Sequence, residues 1–369
     1  MILKKIELLN YRNYDKISIS LNKNINLFIG NNAQGKTNIL ESIYVLALTK
    51  SHRNINDLNL IKYDKENSRI IGKVKKGNLI DTLEIDISKI DKKVFKNKTK
   101  IRKISDYISN LNVILFTPDD LEIIKGSPAN RRNLLNIEIS QISNKYITIL
   151  NEYNKLLKTR NEYLKMLYIN NLSDKNYLNI ITEKLIDKAI KIYQERKKFL
   201  DYINNSIGDI YYEITKIKGL NIKYINNIEV DNYDENEIRS KLQKKYKDNY
   251  KRELIQGMTL YGPHRDDFEF YIEKENIKLF GSQGQQRLSV ICFKLSEIEI
   301  FKVYTNNTPI LLLDDIFSEI DKNKKNKLIK FIDNNIQTII TATDLKGISK
   351  KIIDNSYIFK VNNGQVERR

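Results

Sequence analysis

Eight consecutive residues carry the densest chemistry in this chain: Gly30-Asn31-Asn32-Ala33-Gln34-Gly35-Lys36-Thr37, a complete G-x-x-x-x-G-K-[ST] loop. Glycines at that spacing let backbone N–H groups wrap phosphate oxygens, and the following helix start adds the positive end of its dipole. Lys36 is then placed to reach β- and γ-phosphates, and the Thr37 hydroxyl to ligate Mg²⁺. The implied ligand is ATP with Mg²⁺, held by Gly30, Asn31, Asn32, Ala33, Gln34, Gly35, Lys36, Thr37 and the neighbouring Asn38. The flanks agree: Ile25–Ile29 reads as a buried strand, and Ile39, Leu40, Ile43 and Leu46 recur at helical spacing. A chance Gly/Asn loop would carry neither flank.

A second loop lies far downstream, at Gly281-Ser282-Gln283-Gly284-Gln285-Gln286-Arg287, opening the apolar segment 288–295. It has the form of the ABC-type ATPase signature, with Ser282, Gly284 and Gln285 at a helix N-terminus that makes another anion site. One triphosphate rarely needs two such sites in one subunit. The economical expectation is that each copy offers this loop to the γ-phosphate held by its partner, giving an ATP-dependent homodimer with two-fold symmetry. The competing reading is a polar capping turn.

Pro309-Ile310-Leu311-Leu312-Leu313-Asp314-Asp315 is a buried parallel-type strand ending in two carboxylates. At the edge of an open α/β sheet these would sit beside the phosphate loop. Asp314 is assigned to Mg²⁺ through water and Asp315 to orienting the attacking water, with Lys36 completing the catalytic set. Ser318-Glu319-Ile320-Asp321 follows at the spacing of the loop that crosses the dimer interface in ABC-type ATPases, which makes Asp321 a nucleotide contact.

These motifs, with Leu9-Asn10-Tyr11-Arg12-Asn13-Tyr14, Thr49-Lys50-Ser51-His52-Arg53, Phe116-Thr117-Pro118-Asp119-Asp120-Leu121, Lys125-Gly126-Ser127-Pro128 with Arg131-Arg132, and Tyr261-Gly262-Pro263-His264-Arg265-Asp266-Asp267, closely resemble the RecF family over essentially the whole chain. That family comprises compact ABC-type DNA-repair ATPases related to SMC-type heads. The resemblance implies a weak, DNA-stimulated ATPase of recombination, replication and the SOS response, and places Arg12 near the nucleotide. It implies binding to gapped duplex, double-stranded DNA and single-stranded/double-stranded junctions, and cooperation with RecO- and RecR-type mediators in loading a RecA-type recombinase. Two departures from generic ABC ATPases stand out. No glutamine follows the strand 113–116, and Thr341-Ala342-Thr343 stands where a switch histidine would follow the strand at 338–340. Slow hydrolysis used for timing is the expected result.

Composition fits a globular chain, with 41% hydrophobic and 30% charged residues over 369 positions. The N-terminus enters strand-like alternation directly and no apolar run approaches a membrane span, so a cytoplasmic protein without membrane contact is expected. A formal net charge of +18 suits a polyanion partner, although richness in Lys, Ile and Asn also reads as compositional bias. The single Cys292 lies on an apolar helix and reads as core.

The elements that must position these motifs form an α/β, ABC-ATPase-like head with a mixed sheet whose core strands are parallel. It is expected from residues 1–120 plus 255–369, interrupted by a helical lobe at 121–254. In that lobe Leu135, Ile139, Ile142, Tyr146, Ile149, Tyr153 and Leu156 form one apolar seam, and Leu178, Ile181, Leu185, Ala189 and Ile192 a second, predicting a short antiparallel helix pair broken near 170–174. The pair is too short for an SMC arm. His264-Arg265-Asp266-Asp267 is read as strand, where neighbours point to opposite faces and cannot share an ion. Arg265 is expected to couple the lobes or sense phosphate, and Arg131 and Arg132 to touch a DNA backbone or line a solvated helix face. The readings weighed against a DNA-repair ATPase are the nucleotide-binding subunit of an ABC-type transport system and a small-molecule kinase. The missing glutamine and the GPHRDD segment disfavour the first, and the signature loop disfavours the second.

Overall fold

The computed structural model describes residues 1–369 except 54, 171–174, 317–321, 332–335, 347 and 349. The chain forms two compact units, Met1–Asp120 with Asp209–Ile217 and Ile291–Arg369, and Leu121–Gly208 with Lys218–Val290. The last segment of the first unit begins at Ile291, where the sequence reading put the return at 255.

The first unit holds two six-stranded sheets. One consists of β1 (Ile2–Tyr11), β2 (Tyr14–Ser20), β4 (Asn67–Lys76), β5 (Leu79–Ser88), β6 (Lys92–Lys96) and β7 (Thr99–Lys100), antiparallel in the order β2-β1-β4-β5-β6-β7. The other takes β3 (Ile25–Ile29), β8 (Val113–Phe116), β12 (Ile310–Asp314), β13 (Thr338–Ala342), β14 (Ser356–Asn362) and β15 (Gln365–Arg368) in the order β15-β14-β3-β13-β12-β8. Its strands are parallel except for the final β14–β15 hairpin. Helix α1 (Lys36–Leu48) touches β4 and β5 of the first sheet and β8, β12 and β13 of the second. A helix covered on both sides needs no polar face, and eleven of its thirteen residues are buried.

The second unit carries α2 (Glu122–Lys125), α3 (Pro128–Ile142), α4 (Asn144–Ile169), most of α5 (Asn176–Thr215), α6 (Glu235–Asp248), α7 (Tyr250–Gln256) and α8 (Ile277–Phe280). A small sheet of β9 (Leu220–Ile225), β10 (Asp267–Ile272) and β11 (Glu275–Asn276) accompanies them, so the inserted lobe is not purely helical. Helix α9 (Gln283–Thr305) gives residues to both units, and α10 (Lys322–Phe331) and α11 (Lys350–Asp354) belong to the first.

Helices α4 and α5 pair antiparallel: Glu152 meets Lys188 at 2.6 Å, while the later Arg160 donates to the earlier Thr182 at 2.9 Å. The seam expected to run unbroken from Leu135 to Leu156 is split between α3 and α4. Ser143 adopts an extended conformation between them and accepts from the Tyr146 N–H, capping α4. Heptad spacing across a capped break was read as one helix because apolar period alone does not register a change of direction.

Candidate nucleotide site

Gly35 lies at φ 110 and Ala33 at φ 64, so the loop turns through left-handed conformations that expose its N–H groups. A Cβ at Gly35 would collide with Asn13 and the Tyr14 hydroxyl. Those two residues, from the β1–β2 turn, also hold the loop: the Asn13 amide donates to Gln34 O at 3.1 Å and the Tyr14 hydroxyl to Gly35 O at 2.9 Å. Asn38 donates to the Asn13 side-chain oxygen at 2.9 Å, so it tethers the loop from the first turn of α1. From the other side, the β14–β15 turn holds Gln34 through the Asn363 N–H at 2.7 Å. A cleft of about 790 Å³ opens here, lined by Gly30, Asn31, Gln34, Thr343, Lys360 and Arg368 among others. Asn32 is exposed at the crown of the loop.

Lys36 donates its ammonium to Gly30 O at 2.7 Å and Asn31 O at 2.8 Å, which uses two of its three hydrogens. Burial lowers its pKa, opposed by the nearby carboxylates of Asp315 and Asp314. Thr37 donates to Asp314 Oδ1 at 2.9 Å. The same oxygen accepts from Thr341 at 2.7 Å, and the Thr341 hydroxyl in turn accepts the Asp315 N–H at 3.1 Å. Asp315 sits at φ 47, where the chain leaves β12, and its carboxylate and that of Asp314 both act on Lys36. The structure therefore brings together Lys36, Thr37, Asp314 and Asp315. Thr341, noted in the sequence only as a missing histidine, is the hydroxyl that steadies Asp314. Asp321 lies outside the described residues.

Arg12 is on the same unit, and its guanidinium grips Glu41 of α1 bidentately at 2.8 and 2.7 Å. Glu41 is fully buried and also accepts from Ser51 at 2.7 Å, with Arg53 at 3.9 Å. Burial opposes its charge, but these partners hold its carboxyl below the usual range. Glu41 was overlooked in the sequence because a lone carboxylate within an apolar helix reads as a surface position. His52 packs edge-on against Tyr44, and burial lowers its pKa. Where a glutamine loop would follow β8, Asp120 instead closes the turn by accepting the Thr117 N–H and hydroxyl at 2.9 and 3.0 Å. Asp120 also pairs with the buried Lys294 at 2.7 Å.

In the second unit Ser282 caps α9. Its hydroxyl accepts the Gln285 N–H at 3.2 Å while Gln285 Oε1 accepts the Ser282 N–H at 2.8 Å, a reciprocal capping box. Ser282 and Gly284 are exposed, and a Cβ at Gly284 would meet nothing.

The Arg131-Arg132 pair of this unit is held by the protein itself. Arg131, expected on a DNA or solvent face, is buried and chelates Asp267 at 2.6 and 2.8 Å while donating to three backbone carbonyls, including Gly126 O at 3.0 Å. Arg132 donates to Asp266 O at 2.7 Å. Residues 261–266 form a turn rather than a strand, and β10 begins at Asp267. His264 bonds Tyr153 at 2.6 Å and Thr259 O at 3.0 Å. A carbonyl can only accept, so Nε2 carries the proton and Nδ1 accepts from the tyrosine. Asp266 faces elsewhere, accepting from Tyr224 at 2.6 Å with Arg196 at 3.7 Å. Burial pulls His264 down to about 4 and pushes Asp266 up to about 6.

Among the described residues no cluster of His, Cys, Asp and Glu could hold a metal alone, and no helix is long and apolar enough to cross a membrane. The model for the RecF/RecN/SMC N-terminal domain matches residues 2–367. The chain is 41% identical to "DNA replication and repair protein RecF" of Geobacillus sp. (strain WCH70), covering 99% of this chain and 98% of the relative. It is 39% identical to the protein of that name from Limosilactobacillus reuteri (strain DSM 20016), covering 100% and 99%. A solved structure described as the recombination mediator protein RecF with ATP in the RecFOR pathway superposes with a TM-score of 0.92 at 33% identity, over 100% of this chain and 97% of that one. An Smc head domain from Pyrococcus furiosus shares the fold alone, with a TM-score of 0.56 at 14% identity over 100% of this chain and 96% of that one. The chain belongs to the RecF family of DNA replication and repair proteins.

Proposed function

We propose that this chain is an ATP-dependent DNA-binding protein of recombinational repair and replication, which dimerises on ATP and hydrolyses it slowly. It acts on gapped and duplex DNA and at single-stranded/double-stranded junctions, with RecO- and RecR-type partners, to help load a RecA-type recombinase. The observation that carries the nucleotide chemistry is the Thr37–Asp314 hydrogen bond, which sets two hard oxygen donors side by side behind the phosphate loop. Such donors suit Mg²⁺, which when bound would offset phosphate charge. The loop N–H groups and Lys36 bind and orient the triphosphate. Asp315, one residue beyond the strand, orients and polarises the attacking water. Arg12, Ser282, Gly284, Gln285 and Asp321 complete the proposed contacts, the last four from the partner copy.

The relatives' name and the ATP complex of the similar structure support the repair and nucleotide readings. Binding to gapped, duplex and single-stranded DNA, measured with ATP, with ADP and without nucleotide, tests it. ATP should strengthen binding and a gapped duplex should compete at least as well as plain duplex. DNA affinity indifferent to nucleotide would overturn the switch.

A further inference from the structure

The inner face of the β2-β1-β4-β5-β6-β7 sheet packs on α1: Ile70, Val74, Leu83 and Ile85 are fully buried, and a Cβ at Gly72 would collide with Leu46. Side chains of alternate parity stand on the other face. The pairing register there sets Lys5 directly opposite Lys73, and Lys75 between Ile2 and Ile80. Like charges directly opposite on a sheet face are unfavourable, and here the arrangement is barely relieved. Lys5 is paired with Glu7, but Lys73 and Lys75 have no carboxylate in ion-pair range among the described residues. The β6–β7 turn adds Lys98, exposed and likewise without an acidic partner, at φ 66. Asp81 stands on the other face of the sheet, across from the buried Val74, and pairs there with Lys96 at 3.1 Å and Asn97 at 2.8 Å.

We propose that this end of the sheet, through Lys5, Lys73, Lys75 and Lys98, is a DNA-backbone platform on which phosphates relieve the opposed lysines. The inference rests on the DNA-binding reading and supplies its contact surface. Fixed positive groups on a rigid pleat, with no hydrogen-bonding code presented to bases, suit phosphate contact without sequence preference. DNA is favoured over an acidic protein because the lysines stand on a regular extended surface rather than around an apolar pocket.

The test uses the full chain with Lys73→Glu/Lys75→Glu/Lys98→Glu and a control, Lys244→Glu/Lys251→Glu/Lys274→Glu, which carries the same charge change on exposed second-unit positions. Binding to a gapped duplex with ATP is followed by anisotropy over a salt series, and ATP binding is titrated separately. The platform variant should lose at least about tenfold in affinity, and its log K against log salt slope should flatten by about 2 to 3, since each lost phosphate contact removes about 0.9. The Lys→Gln triple, which adds no repulsion, should show the same flattening with a smaller loss, excluding misfolding. If wild type binds DNA but the platform variant matches it, or the control loses as much, the platform is wrong while the DNA-binding reading stands. If wild type itself binds no DNA, both fall.

Discussion

The Thr341 hydroxyl donates to Asp314 Oδ1 at 2.7 Å across the β12–β13 register in which the two residues are direct partners. That oxygen also accepts from Thr37 at 2.9 Å, so one carboxylate oxygen is fixed from the phosphate loop and from the neighbouring strand together. Thr341→Val keeps the shape and deletes the hydroxyl. A hydrogen bond to a charged group contributes about 1.5–3 kcal/mol, so hydrolysis should fall by about ten- to hundredfold, with ATP affinity changed less. Thr341→Ser should retain near-normal turnover. Steady-state ATPase and nucleotide titration check this; equal rates in Val and Ser variants would remove Thr341 from the site.

Lys36→Ala should abolish tight ATP binding, because its ammonium sits against the Gly30 and Asn31 carbonyls at the base of the loop. Asp315→Asn should bind ATP normally and lose hydrolysis, since only the group that orients water has gone. Nucleotide titration with single-turnover kinetics separates them. Equal loss of binding in both variants would show that Asp315 has another role.

Ser282→Arg should bind ATP as a monomer and fail to dimerise, whereas Asp315→Asn should accumulate as a long-lived ATP dimer. Sedimentation of both with ATP is the measurement. An unaltered dimer in Ser282→Arg would sink the head-to-tail arrangement.

Glu41→Ala leaves Arg12 without its bidentate partner beside a buried helix position. Breaking a buried pair costs about 3–5 kcal/mol, and denaturant unfolding should report a loss of that order. A change below about 1 kcal/mol, the size of an exposed pair, would mean that solvent already screens the contact.

Burial lowers His264 to about 4 in the folded protein from its ordinary 6.5, so the unfolded chain binds the proton first as pH falls. Its stabilising contribution is present above about 6.5 and is lost through the window down to about 4. The destabilisation caused by His264→Gln should therefore be largest near neutrality and shrink on acidification through that window. Asp266, raised to about 6 from 3.8, works in the opposite sense: its contribution is present below about 3.8 and is lost as pH rises to about 6. Asp266→Asn should consequently leave a steeper loss of stability on acidification than wild type shows. Urea unfolding across the range checks both, and pH-independent differences would rule out these titrations.

The core strands and the phosphate-loop helix were legible because their apolar runs are contiguous in sequence: 25–29, 113–116 and 310–314 all appear as strands at those positions. What escaped were contacts made across long separations. Asp314 and Thr37 are 277 residues apart, and Arg131 meets Asp267 across 136. No local pattern distinguishes an arginine bound for such a partner from one bound for water. Glu41 was hidden for the same reason, its partners arriving from the β1–β2 turn and the segment after α1.

The capping box at the head of α9 has a bearing on the proposed ATP dimer. The Ser282 hydroxyl that would face a partner's phosphate already closes the first turn of its own helix. The cap occupies a lone pair of that oxygen and leaves its hydrogen free to donate outward, so one hydroxyl can hold its own helix and meet an anion together. In the proposed ATP dimer each copy would thus present a side chain already set by its own fold, and the lifetime of the pair would follow the phosphate between them rather than the ordering of a loop.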